Sequence, residues 1–413
     1  MSLSLSTPVS APSAEALRQE FLLDPDVVFL NHGSFGATPE PVFTEYGRWQ
    51  RELERQPVEF LGRRAEDLLD EARAVMAAYL GCERDDLVFV PNATTGINVV
   101  AKSLPLEPGD EVVGTDLEYG ACERSWEWFC QQRGARYIKA HVPLPLTSPE
   151  EVVEAIFAAV TPRTRAIFLS HVTSGTALRL PIEEVTRRAH ETGILTVVDG
   201  AHAVGQWPVD LGASGVDLYA SNFHKWLCAP KGSGFLYARP DQQQWLESPI
   251  VSWGWVEGND HHRPQSQFVS RNQIQGTRDI AAFLTAPAAV AYQQARDWET
   301  VRERCHALAA EARDRIGTLS GLPQIAPVES PDGYRWFRQM AVAPMSEGID
   351  GKELKRRLYD EFRVELPVTW WDEKPFIRVS FQGYNTRDDL EALISALEKL
   401  LPEMIQGYGS VVA

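Results

Sequence analysis

The chain has 413 residues, 44% hydrophobic and 23% charged, with a formal net charge of −17. That length exceeds one ordinary core and suits about two or three packed units. The acidic balance argues against a nucleic-acid binder, which needs basic surface to neutralise phosphates, and no apolar run approaches the roughly 20 residues that cross a bilayer.

The N-terminus, MSLSLSTPVSAPSAEALRQE, has no basic residue before Arg18 and no sustained apolar stretch, so it does not read as a secretory signal. A cytoplasmic protein with a loose arm to about Ala14 is expected. Strands are predicted at 86–90, 111–114, 165–169, 194–198, 216–220 and 234–238. Helices are predicted from Thr95, over 121–133 and over 182–191. The 194–198 strand is a continuous apolar run, the pattern of a strand buried on both faces. This alternation indicates an α/β unit on a mostly parallel sheet. After Asp279 the pattern changes. Helices are predicted over 280–299, 301–319, 352–361 and 386–401, with strands at 336–342, 363–368 and 376–380. The expected division is an N-terminal arm (1–30), a large domain (31–290) and a small α+β domain (291–413).

The five cysteines form no CxxC pair, as suits a reducing compartment. The nine histidines show no metal-ligand spacing, so no metal is expected. His261–His262 reads as a surface pair in a polar loop.

Three local constellations carry chemistry. In PNATTGIN (91–98), Thr94, Thr95 and Gly96 follow a strand and open a helix. Hydroxyls and free N–H groups there suit a phosphate dianion, and a simple N-cap fits as well. In VVDGAH (197–202), Asp199 ends a buried strand, where open α/β sheets place ligands. A strand-end turn is the other reading. In SNFHKW (221–226), Lys225 is flanked by His, Trp and Phe. Such desolvation lowers an amine's pKa and makes it nucleophilic, although a snorkelling lysine also fits. No dinucleotide or P-loop glycine motif occurs.

Taken in order, these segments resemble the fold-type-I pyridoxal 5′-phosphate (PLP) enzymes, specifically the class-V aminotransferase family and its isopenicillin N epimerase-like group. The resemblance runs from Asn31 to the final helix. It rests also on NHGSFGATP (31–39), LEYGA (117–121), SHVTSGTA (170–177), APKGSGFL (229–236), QGTRD (275–279) and RVSFQGYNT (378–386). It implies a large domain with a seven-stranded, mostly parallel sheet flanked by helices, and a small α+β domain. It implies Lys225 as the Schiff-base lysine and Asp199 as the partner of the pyridinium nitrogen, which keeps the ring an electron sink. Thr94, Thr95, Ser221 and His224 match phosphate contacts, with Gly96 in the same cup. Tyr119 matches a ring-stacking aromatic, and Ser174 and His202 lie near the ring oxygen. Thr277 matches a residue reaching the phosphate of the neighbouring subunit, which implies a homodimer. Arg378 matches the residue that grips the substrate carboxylate with paired hydrogen bonds. Asn31 and His32 line the substrate side. Competing assignments are Lys231 as the anchor, Tyr119 as a core aromatic and Arg378 as a salt-bridged strand residue. The Trp370–Glu373 run reads as a substrate gate or a packed turn.

An amino-acid substrate follows, with epimerisation, transamination and β-elimination of a C–S bond as competing outcomes. Epimerisation needs a second acid besides Lys225, and Tyr119 and His32 are the candidates. Desulfuration ranks low, because no cysteine lies between Ser330 and Arg378, where the desulfurase relatives carry theirs. A non-catalytic binding module is a further, weaker alternative, since Lys225, Asp199 and Arg378 are all present.

Overall fold

The computed structural model describes residues 10–256, 266–346 and 348–411. His261–His262 and the first nine residues of the expected arm lie outside them.

The described residues form twelve strands: β1 (Val28–Phe29), β2 (Leu87–Val90), β3 (Glu111–Thr115), β4 (Arg136–Ala140), β5 (Thr164–Ser170), β6 (Leu195–Asp199), β7 (Leu218–Asn222), β8 (Gly234–Ala238), β9 (Met340–Pro344), β10 (Val364–Glu365), β11 (Val368–Trp371) and β12 (Lys374–Ser380). Seven of them build one sheet in the order β2-β8-β7-β6-β5-β3-β4. Only β8 runs against its neighbours in this sheet. The mostly parallel seven-stranded sheet expected from the sequence is therefore present. Alternate residues serve opposite faces: Val197 packs into one apolar cluster and Val198 into another. Both faces are covered, which is why β6 reads as an unbroken apolar run.

Several elements escaped the sequence reading, among them the helices Glu40–Arg55 and Ala65–Leu80. Strand β4 is an edge strand with charged, partly exposed residues, so it lacks an apolar signature. The helix Pro149–Ala158 escaped as well. The expected helix over 280–299 is broken. It divides into Ala281–Gln294 and Trp298–Ser320, and Asp297 turns the chain with a positive φ of 42°. The expected domain boundary at 290/291 thus falls inside a helix.

The smaller unit centres on the antiparallel sheet β11-β12-β9. The expected 363–368 strand splits into β10 and β11. Pro367 has no N–H to continue a ladder, and Arg363 closes the preceding helix in the left-handed region. Strand β10 pairs instead with β1, in parallel. The N-terminal segment belongs to this unit. Helix Ala14–Glu20 buries Leu17, and Phe21 packs edge-on against Tyr384 with ring centroids 4.8 Å apart. Residues 14–30 are thus packed structure rather than a free arm. The Trp370–Glu373 run is the tip of the β11–β12 hairpin. Asp372 and Glu373 both have positive φ, 48° and 60°, as a two-residue type I′ turn requires. Thr369 Oγ1 donates to Gly175 O at 2.8 Å, so the hairpin is fastened to the loop that carries Ser174.

Among the described residues no helix is long and apolar enough to cross a membrane. No cluster of three or more His, Cys, Asp or Glu side chains there is arranged to hold a metal.

Candidate active site

A cleft opens at the carboxyl ends of β5, β6 and β7, the side on which open α/β sheets bind ligands. Its walls include Thr94, Tyr119, Ser174, Asp199, His202, His224 and Lys225 from the sequence reading. They also include Ser34, Phe35, Asn92, Ser170, Val172 and Asn222, which that reading did not single out.

Lys225 follows β7, and its Nζ lies 3.1 Å from His202 Nε2. Burial, reinforced by the positive charge of Arg378, pulls its pKa from 10.5 down to about 8. A lysine this desolvated holds a substantial neutral fraction near physiological pH, as a nucleophilic amine needs. Lys231 is exposed and lines a separate depression with Gly36 and Tyr46, so the competing anchor lies outside the cleft.

Asp199 is the last residue of β6 and is 3% exposed. Burial raises its pKa. One oxygen accepts the Ala201 N–H at 2.9 Å, and the other accepts the Cys122 thiol at 3.4 Å. The strand-end turn is therefore real, and it leaves a buried carboxylate with no cationic hydrogen-bond partner. A buried carboxylate is costly unless paired, and a protonated ring nitrogen would supply the missing charge.

Helix Ala93–Ser103 points its N-terminus at the cleft with Thr94 on the wall. The Thr95 N–H and hydroxyl both bind the N-cap oxygen of Asn92, at 2.8 and 3.1 Å. The Gly96 N–H goes to Asn92 O at 3.2 Å. A Cβ on Gly96 would stand 2.7 Å from the Ala220 Cβ, so its job is close packing on β7. Of the expected phosphate cup, the structure brings Thr94 and His224 to the wall. Thr95 and Gly96 build the cap behind it. Ser221 is likewise withdrawn, its hydroxyl donating to Gly200 O at 2.6 Å. His224 does reach the wall. Its Nδ1 lies 3.1 Å from Ser233 O, and burial lowers its pKa to about 4.

Arg378 lies on β12 and enters the site from the smaller unit, 4% exposed. It donates to Ser174 O at 2.7 Å, Ser174 Oγ at 3.2 Å and Ser34 Oγ at 3.0 Å. Among the described residues no carboxylate pairs with it, and its Nε has no partner. Burial alone pulls its pKa down to about 10. The alternative of a salt-bridged strand residue is thereby overturned. A buried, uncompensated guanidinium is a site for an anionic group.

The structure removes Asn31 and His32 from the substrate side. Asn31 donates to Glu365 Oε1 at 3.1 Å and accepts from Ser34 Oγ at 2.5 Å, so it orients Ser34 from behind. His32 is fully buried between Tyr384 Oη at 2.9 Å and the Lys225 carbonyl at 3.0 Å. Burial drives its pKa to about 3. It braces the Lys225 backbone and does not face the cleft. Thr277 is exposed beside Gln50 and Arg278, away from this cleft. Tyr119 is 47% exposed on the wall, which rules out a core aromatic.

Glu118, within LEYGA, is a further buried group that the sequence reading passed over. It accepts from Thr115 Oγ1 and Ser170 Oγ, both at 2.6 Å, and burial lifts its pKa to about 8. Asn222 holds the helix Ala93–Ser103 by accepting the Ala93 N–H at 2.8 Å. Glu118 meets Ser170, and Asn222 meets Ala93, across long stretches of chain, so no local spacing marks these pairs.

Comparisons with known proteins show the family of the chain. The family model described as aminotransferase class-V matches residues 37–393. Isopenicillin N epimerase of Amycolatopsis lactamdurans is 38% identical over 392 residues, 93% of this chain and 97% of that protein. A probable chloroplastic L-cysteine desulfhydrase of Arabidopsis thaliana is 27% identical, covering 92% of this chain and 84% of its own length. A solved C-DES variant with glycine covalently linked to its PLP cofactor superposes with a TM-score of 0.78 at 20% identity, over 92% of this chain and 99% of that one. The chain belongs to the class-V aminotransferase family.

Proposed function

We propose that this class-V pyridoxal-phosphate enzyme is an amino-acid epimerase of the isopenicillin N epimerase type. The observation that carries the reading is one cleft lined by a desolvated Lys225 and a buried Asp199, with Arg378 bonded to its wall residues Ser174 and Ser34. The 38% identity over 93% of the chain supports the epimerase assignment. When bound, the cofactor supplies an electron sink for the pair left at Cα. Lys225 anchors it and then carries the proton on one side of Cα. Asp199 would pair with the ring nitrogen. Thr94, His224 and the helix N-terminus behind them would hold the phosphate. Tyr119 would stack on the ring, and His202 and Ser174 would lie near its oxygen. Arg378 grips the substrate carboxylate, oriented by Ser174 and Ser34.

Epimerisation needs a second proton carrier. His32 is excluded by its place behind Lys225, and His224 is engaged with Ser233. Tyr119 is the titratable wall residue left for the task. Desulfuration is disfavoured, because none of the five cysteines lies on the cleft wall and Cys305 is buried in the helix Trp298–Ser320. A second reading, β-elimination of a cysteine derivative, draws support from the desulfhydrase relative. It needs Lys225 alone. The protein works as a homodimer in the cytoplasm, with Thr277 completing the phosphate site of the neighbouring subunit. Its exposed position outside this protomer's cleft suits that role.

The test is incubation with single enantiomers of candidate amino acids in deuterated water. Deuterium at Cα with loss of chirality, and no keto acid, pyruvate or sulfide, is expected. Pyruvate and sulfide would carry the lyase reading instead, and a keto acid the aminotransferase one. A protein that stays colourless after adding PLP would leave only a binding module.

A further inference from the structure

His202 stands between two partners. Its Nδ1 faces the Trp226 indole Nε1 at 3.4 Å, and its Nε2 faces Lys225 Nζ at 3.1 Å. An indole N–H donates and never accepts, so Nδ1 must carry the lone pair. A neutral imidazole has one donor and one acceptor, which puts the proton on Nε2, directed at Nζ. An ammonium group has no lone pair to receive that proton. The contact is therefore satisfied only when Lys225 is an unprotonated amine.

The surroundings hold both conditions. Trp226 is fully buried, with its carbonyl accepting from Gln293 Nε2 at 2.8 Å and its ring 5.2 Å from that of His32. Desolvation, with the Arg378 charge nearby, keeps the His202 ring neutral. Around Lys225, burial and Arg378 favour the neutral amine, while Asp199 and Cys122 oppose it.

We propose that Trp226 is a positioning residue: its indole N–H locks His202 in the Nε2–H tautomer, and that tautomer favours the neutral Lys225 amine, the form that bonds an aldehyde carbon. The proposal rests on the reading of Lys225 as the cofactor anchor. In that bonding the Nζ lone pair forms the C–N bond. The carbonyl oxygen leaves as water and takes the two amine protons. An ammonium cannot begin this step. Once Nζ is consumed, the Nε2–H remains a donor directed into the cleft.

The test uses the full chain freed of cofactor and labelled with nitrogen-15 at histidine. Long-range proton–nitrogen spectra at neutral pH, with His202 identified by its disappearance in His202→Gln, are expected to show hydrogen on Nε2 and a bare Nδ1. Hydrogen on Nδ1, or on both nitrogens, overturns the proposal. PLP uptake, followed by absorbance across a pH series, supplies the second measurement. In Trp226→Phe the ring is free to turn a lone pair toward Nζ, which favours the ammonium. Uptake at pH 7 then falls roughly tenfold and its midpoint rises by about one unit. Uptake identical to wild type in rate and midpoint overturns the lock. Should Trp226→Phe fail to fold, the wild-type spectrum decides. Should no form take up PLP, the anchor reading fails while the tautomer result stands on its own.

Discussion

Arg338 and Arg378 are equally buried, each 4% exposed, yet they are provided for in opposite ways. Arg338 meets two carboxylates, Glu299 and Glu303, donates to Gln206 O at 3.0 Å and lies against the Trp207 ring. Arg378 meets only hydroxyls and a carbonyl. The first arrangement neutralises a charge that ties the helix Trp298–Ser320 to the start of the small sheet. The second leaves a charge standing in a cleft. Lys225 and Asp199 repeat the second pattern: burial is the largest cause of each pKa shift, and among the described residues neither forms an ion pair. Three such buried groups thus meet at the candidate active site.

The largest expected effect comes from Lys225. Lys225→Met abolishes turnover and the absorbance band of the anchored cofactor, and an unchanged band would move the anchor elsewhere. The same substitution stabilises the cofactor-free protein at pH 7 by up to about 3 kcal/mol, because the folded-state pKa of about 8 lies below the ordinary 10.5. Across that window the unfolded chain holds a proton that the folded chain lacks. Wild-type stability therefore rises with pH from about 8 to 10.5 and carries the full penalty below 8. Thermal melts of both forms at pH 7 and pH 10 check the sign. A Lys225→Met protein that melts earlier at pH 7 would break the comparison.

Tyr119→Phe comes next. Under the epimerase reading it lowers racemisation by roughly 10²–10⁴-fold, the usual contribution of a positioned acid–base group. Elimination, if that is the reaction, stays nearly unchanged, so kcat for each product separates the two readings.

The two arginines give smaller and opposite effects. Arg378→Ala weakens substrate binding by about 1.5–3 kcal/mol, the range for a hydrogen bond to a charged group, and leaves Tm unchanged or higher. Arg338→Ala costs about 1–3 kcal/mol of stability and leaves KM alone. Equal losses of Tm in both would show that Arg378 is structural after all. The smallest effect is expected at Arg356, an exposed residue paired with Glu353 and Asp360 on one helix. Arg356→Ala leaves stability nearly unchanged, as measured by denaturant unfolding.

Much of this site was legible in local sequence. Asp199 and Lys225 stand at the ends of apolar runs whose periodicity marks strands. Burial and strand-end position follow from that pattern whatever the rest of the chain does. The parallel sheet followed from the same alternation. Hidden elements had local reasons for being hidden, such as the charged edge strand β4 and the helix broken at Asp297.

What the chain could not declare locally was the direction in which each side chain faces. Thr94 and Thr95 are adjacent, yet one lines the cleft and the other caps its helix. His32 looked like a substrate contact and proved to be a brace, because its partner Tyr384 arrives from 352 residues away. Ser34 and Asn222 became site residues for the same reason, through Arg378 and Ala93. The sequence by itself determined the family and the sheet and singled out Lys225 as the proposed anchor, since these depend on residue type and short-range order. The tertiary structure alone decided which polar groups were already spent on internal hydrogen bonds. A buried donor or acceptor takes whichever partner the fold brings within about 3 Å, and only those left over remain to bind a ligand.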